Sequence, residues 1–375
     1  LGVTTLNPLM LDFMVAARGY GIAVSGLTYA ILALLDYLRA TDGGRRSLYW
    51  AALGIYVSIG SNLSALIPCA MLMFSFLLIV AAARGVKRAL LECSLLAMPV
   101  AAFLTAIYFV FPLHSANREH FYVGFPDWWQ SFRNLIQVSF YHAGYIGDPR
   151  GVPPVVSAYL TVVAVVTGAL LLWIAARWFR GIAALRRGGT LTESAFLLTA
   201  GAMWGSIAIL FLAHHLLGLL YPVDRTGLYF LALMPIAVMT GGGRWMPISV
   251  FASAMVLIAF ACQWNTRFFY VWRFDADTKE IMRVLEQRVG KAAGPVRLGI
   301  SWPLDPSISF YRATRGDTWM APVDRRGPDG QYDYYVITPP MTDLKLDDRP
   351  VLAKRSLTTI YEGPVSKTVL AIPPP

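Results

Sequence analysis

Long apolar stretches separated by short charged breaks occupy most of the chain up to Cys262. Residues 89–113 and 155–176 reach the roughly 20 apolar residues that a membrane-spanning helix needs, with at most one charge each. The same pattern predicts eight membrane segments, near residues 13–38, 48–61, 62–83, 89–112, 154–176, 191–219, 227–240 and 247–263. The segments 48–61 and 227–240 are short for a full crossing, so we expect each to be tilted, extended or partly re-entrant.

Composition supports a membrane protein. Hydrophobic residues make up 56% of the chain and charged residues 14%, whereas an ordinary soluble domain is roughly a quarter charged. The net charge of +10 could suit nucleic acid, but in a membrane protein Lys and Arg first report topology. We therefore expect no nucleic-acid partner. Cys69, Cys93 and Cys262 lack the spacing of a disulfide framework or a zinc site, so we expect them to be small packing residues.

The positive charges in the breaks predict an orientation. Eleven Lys and Arg residues fall in four breaks, at 39–47, 84–88, 177–190 and 241–246. The loop 113–153 and the turn 221–226 hold only four, so the positive-inside rule places the first four breaks in the cytoplasm. Alternation then puts Leu1, that loop, that turn and everything after Gln263 outside. A chain starting outside without a signal predicts that an odd number of spans precedes Leu1 in the encoded protein.

After Cys262 the pattern becomes that of a soluble domain, with 16 basic and 13 acidic residues from Trp264 onward. Residues 277–290 place apolar side chains at helical spacing between charges, which predicts an amphipathic helix. Four short runs predict strands: "VRLGIS", "YDYYVIT", "LTTIYEG" and "KTVLAI". We expect a transmembrane helical domain over 1–263 and a small extracytoplasmic α/β or α+β domain over 264–375.

An Asp-Arg pair, Asp224 and Arg225, lies between two apolar segments in a turn opened by Tyr221 and Pro222. One interpretation is an ordinary interfacial turn, in which Arg225 snorkels to lipid headgroups and Asp224 caps the next helix. The other is a phosphate site, because a guanidinium matches phosphate oxygens bidentately and a helix N-terminus adds a favourable dipole. In that interpretation Asp224 orients Arg225, and Tyr221 belongs to the same site.

Arg18 is a second unusual charge, because it lies inside an apolar run near the predicted outer end of that run. A charge in this position costs a few kcal/mol unless it snorkels, pairs or lines a wet cavity. Asp12 is six residues away, too far along a helix for the favoured three- or four-residue pairing. Snorkelling is one interpretation, and a cavity facing an anionic ligand is the other.

The loop 113–153 is rich in His, Arg and aromatic residues. Trp128 and Trp129 fit the aromatic belt of a membrane interface, so part of the loop is expected to lie on the lipid surface as an amphipathic helix. The alternative is substrate binding, in which indole faces stack on sugars while His114 or Arg118 meets phosphate or hydroxyl groups.

Metal and nucleotide sites have little support in the sequence. His214 and His215 lack further ligands at metal-binding spacing, so we expect neutral, interfacial or buried imidazoles. Neither GxGxxG nor GKS/T occurs in a strand-to-helix context, which argues against the familiar intracellular nucleotide sites. A divalent metal ion is left open as a cofactor.

Three stretches and the domain order together carry a family resemblance: "NPLMLDFMVAARGYGIAV", "GIYVSIGSNLSALIPCAML", "YPVDRTGLYFLALMPI" and the soluble C-terminal domain. In these features the chain resembles the integral-membrane glycosyltransferases of the GT-C fold. That group includes the mannosyl- and aminoarabinosyltransferases that use dolichyl- or polyprenyl-phosphate sugars. The resemblance covers most of the chain and is one of layout and local composition.

The resemblance implies a sugar donor linked by phosphate to an isoprenoid lipid, and a glycan, lipid or protein acceptor at the outer face of a bacterial inner membrane. In that chemistry a carboxylate accepts the acceptor's proton while cations stabilise the leaving phosphate. Arg225 is the expected phosphate contact and Arg18 the second. The family's catalytic Asp lies in the first outer loop, which would precede Leu1, so we expect this chain to lack it. Asp12 and Asp127 are weak substitutes.

Two other classes stay open. A transporter or flippase of a lipid-linked glycan would place the same charges along a path, but such proteins often show repeats, and none is evident. A non-catalytic membrane scaffold would use its C-terminal domain to bind an envelope partner.

Overall fold

The computed structural model describes residues 7–15, 19–40, 44–110, 124–140, 154–187, 193–241, 246–262, 268–290, 295–316, 318–324, 326–341 and 346–374. The chain divides into two compact units. The first comprises residues 1–141 and 155–264, and the second comprises residues 142–154 and 265–375. Each unit has a hydrophobic core of its own.

The first unit is helical. Over its described residues the α-helices are α1 Pro8–Val15, α2 Tyr20–Arg39, α3 Arg45–Ser61, α4 Leu66–Arg84, α5 Val86–Val110, α6 Trp128–Phe140, α7 Pro154–Arg186, α8 Ser194–Leu217, α9 Leu228–Thr240 and α10 Met246–Cys262. Short 3₁₀ helices at Leu63–Ala65 and Asp224–Gly227 precede α4 and α9. All the predicted membrane segments are therefore helical, and α1 and α6 are additional.

In the part of the chain that the structure describes, five helices are long and apolar enough to cross a membrane, which supports a multi-pass membrane protein. They span Tyr20–Arg39, Leu63–Arg84, Val86–Val110, Pro154–Arg186 and Ser194–Leu217. The helix α7 is an example of an apolar helix with a largely exposed surface, because only Ala164, Ile174 and Leu185 are buried along its 33 residues. An apolar helix that is exposed over most of its length suits lipid rather than water. A count of eight crossings stays a prediction.

The predicted first segment, 13–38, is wrong in its N-terminal part. The helix α1 ends at Val15 and α2 begins at Tyr20. Between them Gly19 has a φ of +74°, which side chains with a Cβ rarely adopt. A Cβ at Gly19 would also overlap the carbonyl oxygen of Ser61. The chain therefore bends where its backbone packs against the end of α3.

Small residues allow α2 and α3 to pack closely. A Cβ at Gly26 would stand 2.7 Å from the Gly54 carbonyl oxygen, and a Cβ at Gly54 would stand 2.8 Å from the Ala30 nitrogen. The Ser58 hydroxyl, which is buried, donates a hydrogen bond to the Ala23 carbonyl across the same interface at 2.7 Å. Backbone contact between small residues is a common way for membrane helices to associate.

The second unit is α/β. Over its described residues it contains α11 Thr278–Val289, β1 Leu298–Ile300, α12 Asp305–Arg315, β2 Tyr334–Ile337, α13 Pro350–Lys354, β3 Thr358–Glu362 and β4 Val369–Ile372. The sheet order is β1-β2-β4-β3, with β1 and β2 parallel and the other neighbours antiparallel. The amphipathic helix and all four strands predicted from the sequence are confirmed. The apolar face of α11 packs in the same core as β1, β2 and β4.

Candidate functional site

The Asp-Arg pair lies in a 3₁₀ turn, Asp224–Gly227, between α8 and α9. The turn closes on itself, because the Val223 N–H donates to the Thr226 hydroxyl and that hydroxyl donates to the Val223 carbonyl, each at 2.8 Å. Asp224 has a φ of +44°, a left-handed conformation that Asp tolerates better than most residues. Val223 and Gly227 occupy the N-cap positions of the turn and of α9, so the interpretation that Asp224 caps the next helix is wrong.

The amphipathic helix α6 holds this turn in place. The Ser131 hydroxyl donates to the Pro222 carbonyl, and the Asp224 N–H donates to the Asn134 side-chain oxygen at 2.9 Å. Leu135 packs closely on Gly227, where an added Cβ would stand 2.5 Å from a Leu135 methyl carbon and force that side chain to shift. The turn and α6 therefore pack together, although their hydrogen-bonded residues are about 90 positions apart in the sequence.

Tyr221 fixes the entrance to the turn. Its N–H and carbonyl exchange backbone hydrogen bonds with Phe125 at 2.8 and 3.0 Å, and its ring stacks on His214 at a centroid distance of 4.5 Å. Burial, and after it the negative charge of Asp127, raises the pKa of the Tyr221 hydroxyl. His214 Nδ1 lies 2.7 Å from the Leu219 carbonyl oxygen. These contacts give Tyr221 and His214 a positioning role.

Arg225 is half-buried and lines a narrow crevice between α2, the 3₁₀ helix Leu63–Ala65 and α9. The other polar side chains in the lining belong to Tyr20, Ser64 and Tyr229, and the rest are apolar. Ser64 is held there because its N–H donates to the Asn62 side-chain oxygen at 2.9 Å. The space measures about 10 Å³, enough for about one water.

The Arg225 side chain forms no ion pair within the part of the chain that the structure describes. The expectation that Asp224 orients Arg225 stays a prediction. A guanidinium carries five N–H donors in a fixed fork, which suits a planar anionic group. The arrangement can therefore accept an anionic group at the mouth of the crevice.

Asp12 reaches the same region through α1. This helix packs against α6, α9 and the turn Asp224–Gly227, and the side-chain oxygen of Asn7 accepts a hydrogen bond from the Met10 N–H at its start. Asp12 itself is only 5% exposed. That burial suits a structural anchor better than a base that must reach the hydroxyl group of an acceptor.

Asp127 begins α6. Its two carboxylate oxygens accept hydrogen bonds from the N–H groups of Trp129 and Gln130, both at 3.2 Å. A carboxylate in this geometry is a helix N-cap. Its structural role accounts for its position, and it is a poor candidate for proton transfer.

The amphipathic helix predicted within the loop 113–153 is confirmed as α6. Trp128 and Trp129 are 54% and 45% exposed, and both rings lie within 6.2 Å of the Phe132 ring centroid. Ser131 and Val138 are buried on the other side of the helix. Contact of the exposed aromatic face with lipid stays a prediction. Three predicted site residues, Arg18, His114 and Arg118, lie outside the described residues.

Sequence patterns missed four residues that shape the site: Tyr20, Ser64, Ser131 and Asn134. Ser131 and Asn134 are three residues apart on α6 and share one face. Polar residues on the side of an amphipathic helix opposite its aromatic residues are a signal for docking onto protein. Tyr20 and Ser64 had no comparable signal, because only the packing of α2 against the end of α3 brings them together.

The function of the site has to be inferred from the residues that form it. Among the described residues, no group of three or more His, Cys, Asp and Glu side chains could hold a metal ion. No protein-family model, no curated protein and no solved structure matches this chain.

Proposed function

We propose that this protein is a membrane glycosyltransferase that transfers a sugar from a polyprenyl-phosphate donor to an acceptor at the outer face of the membrane. The observation that supports the proposal most is Arg225, a half-buried residue that lines a crevice between apolar helices and forms no ion pair among the described residues. A cation in this setting suits an anionic group carried by a lipid.

Arg225 would act on the phosphate of the donor. Transfer breaks the bond between the sugar's anomeric carbon and a phosphate oxygen, and it forms a bond from that carbon to the acceptor oxygen. Negative charge then gathers on the departing polyprenyl phosphate, where a bidentate guanidinium stabilises it. The hydroxyl groups of Tyr20 and Ser64, which line the same crevice, can donate further hydrogen bonds.

The size of the crevice restricts where the donor can bind. A space of about 10 Å³ holds about one water and excludes a phosphate group. The phosphate would therefore contact Arg225 at the mouth of the crevice, with its isoprenoid chain along the apolar outer surface of the helices.

The acceptor must lose a proton, which this chemistry gives to a carboxylate. We assign that role to no described residue, because Asp127 caps α6 and Asp12 is buried. The contribution that we propose for this chain is binding the donor and stabilising the leaving group.

The proposed setting is a bacterial inner membrane crossed eight times, with the turn Asp224–Gly227 and the second unit on the extracytoplasmic side. The distribution of Lys and Arg supports this orientation, since the breaks assigned to the cytoplasm are the basic ones. Membrane lipids would surround the first unit, whose exposed side chains are largely apolar.

The test is sugar transfer by the full-length encoded protein in membranes, with a panel of labelled polyprenyl-phosphate hexoses and pentoses as donors. Arg225→Ala should lower transfer by about 100-fold or more, the typical cost of removing a donor to a developing anion. Arg225→Lys should recover part of the rate, because an ammonium keeps the charge but cannot make the bidentate contact.

The matched control is Arg133→Ala, which removes the same charge from an exposed position on α6 and should leave transfer unchanged. Normal turnover by Arg225→Ala would refute the role that we propose for Arg225. Movement of the donor between leaflets without new glycosidic bonds would instead identify a flippase.

A further inference from the structure

The second unit contains a cleft at the carboxyl end of β1. Its volume is about 330 Å³, and it is lined by Ile300, Trp302, Asp305, Pro306, Val323 and Asp324. Pockets that bind small molecules measure roughly 300–1,000 Å³ and combine apolar walls with a few polar groups. The cleft meets both conditions.

The topology of the sheet explains why a cleft forms there. On one side β1 pairs in parallel with β2, and on the other side Val296 forms a parallel bridge with Met320. The chain leaves β1, passes through α12 to Met320, and then crosses back to β2 on the opposite side. One connection therefore runs to one side of β1 and the next runs to the other side. Such a change of direction opens a crevice at the carboxyl ends of parallel strands, where α/β sheets commonly bind ligands.

Trp302 provides an aromatic surface in this cleft. It is 52% exposed, while the next two residues, Pro303 and Leu304, are buried. The preceding residue, Ser301, is tied to the sheet by its backbone and by its side chain: its N–H donates to the Val336 carbonyl at 2.9 Å, and its hydroxyl accepts from the Thr338 N–H at 3.1 Å. The indole is therefore carried on a rigid support.

Two carboxylates line the same cleft as the indole, and both accept hydrogen bonds within the protein. Asp305 accepts a hydrogen bond from the Ser309 hydroxyl at 2.8 Å. Asp324 accepts from the Arg326 N–H at 3.0 Å and from the Tyr332 hydroxyl at 3.2 Å. Burial, and after it the charge of Asp324, raises the pKa of Tyr332, so this hydroxyl stays a donor.

The charge of the cleft limits its ligands. The guanidinium of Arg326 lies 3.8 Å from Asp324 and is largely exposed, so it screens that carboxylate only partly. Among the described residues that line the cleft, none is Lys or Arg. Hydroxyl and ammonium groups can donate hydrogen bonds to Asp305 and Asp324, whereas ionised phosphate and carboxylate groups have no hydrogen to donate.

We propose that this cleft binds a pyranose ring of a neutral or amino-substituted carbohydrate, stacked on Trp302, with its hydroxyl or ammonium groups donating to Asp305 and Asp324. An indole face and the C–H face of a sugar match in size and in low polarity, while carboxylates accept hydrogen bonds from the ring substituents. The site shares no residue with the proposed phosphate contact, requires no bond to form or break, and does not depend on the proposed transfer reaction.

The experiment measures binding to the full chain in lipid nanodiscs by saturation-transfer NMR, with dissociation constants from titration. The probes are methyl glucopyranoside, methyl mannopyranoside, methyl glucosaminide and methyl glucuronide. We expect a neutral or amino pyranoside to bind in the millimolar range or tighter. The glucuronide, in which the C6 hydroxymethyl group of the glucoside is oxidised to a carboxylate, should bind about tenfold more weakly or not at all, because that carboxylate cannot donate a hydrogen bond to Asp305 or Asp324.

Trp302→Ala should weaken binding by about tenfold or more, because losing an aromatic side chain that stacks on a nucleic-acid base has an effect of similar size. Trp302→Phe should retain part of the affinity, because phenylalanine keeps an aromatic face. The matched control is Phe310→Ala, which removes another exposed aromatic residue, 60% exposed, from α12 and should leave affinity unchanged. Three results would overturn the proposal: no probe binds, Trp302→Ala binds as well as wild type, or the glucuronide binds best.

Discussion

Arg225 and Asp224 are neighbours in the sequence with different roles in the structure. Arg225 lines the crevice and supplies its positive charge. Asp224 gives the turn its shape, through a left-handed backbone and an N–H bonded to Asn134. The sequence could predict that both charges lie in a turn between apolar segments. It could not predict the partner of Asp224, because Asn134 is 90 residues away and reaches the turn only through tertiary packing.

Asp224 tests the conformational role of the turn. Asp224→Asn should keep the fold, because Asn also tolerates a positive φ, whereas Asp224→Val should destabilise the protein by about 1–2 kcal/mol, because a β-branched residue is strained there. Thermal unfolding of the purified protein in detergent measures the difference. Equal melting temperatures for the two variants would show that the φ of +44° imposes no requirement.

The helices show how far an apolar pattern can predict elements. It placed a helix at every membrane segment and four strands in the second unit, because long apolar runs and alternating runs have few other solutions. It missed the bend at Gly19, which depends on contact with Ser61. It also missed α12, where Ile308 is the only buried residue among those described, so that periodicity was too weak to recognise.

Packing between α2 and α3 makes a prediction about elements. Gly54→Ala should destabilise the first unit by roughly 1–3 kcal/mol, because the added methyl group meets the Ala30 nitrogen and the Gly26 carbonyl at 2.8 Å. The control is Gly168→Ala in α7, where no atom lies within 4 Å of the added Cβ, and it should be neutral or slightly stabilising. Thermal unfolding checks both variants, and a control that melts as low as Gly54→Ala would contradict the explanation.

At the scale of the whole molecule, two separate cores account for the change in composition near Trp264. The first unit exposes apolar helices and the second unit has an ordinary soluble core. Such a change in composition is expected where the surroundings of the chain change, because lipid and water select different surfaces. The site was less predictable, since α1, α6 and the turn Asp224–Gly227 meet only in the folded chain.

The orientation in the membrane can be tested with single cysteines in a background without Cys69, Cys93 and Cys262. A membrane-impermeant maleimide added to intact spheroplasts should label Gln130→Cys and Asp329→Cys, both exposed positions that we expect outside. Ser47→Cys, in a basic break, should react only after the membrane is permeabilised. Labelling of Ser47→Cys in intact spheroplasts would reverse the proposed orientation.

The most direct test of the central claim is binding of undecaprenyl phosphate, without a sugar, to the full chain in nanodiscs, for wild type, Arg225→Ala and Arg133→Ala. We predict that wild type and Arg133→Ala bind alike. Arg225→Ala should bind about tenfold or more weakly, because hydrogen bonds to charged groups contribute roughly 1.5–3 kcal/mol. Equal affinity of Arg225→Ala and wild type would show that Arg225 does not hold the lipid phosphate.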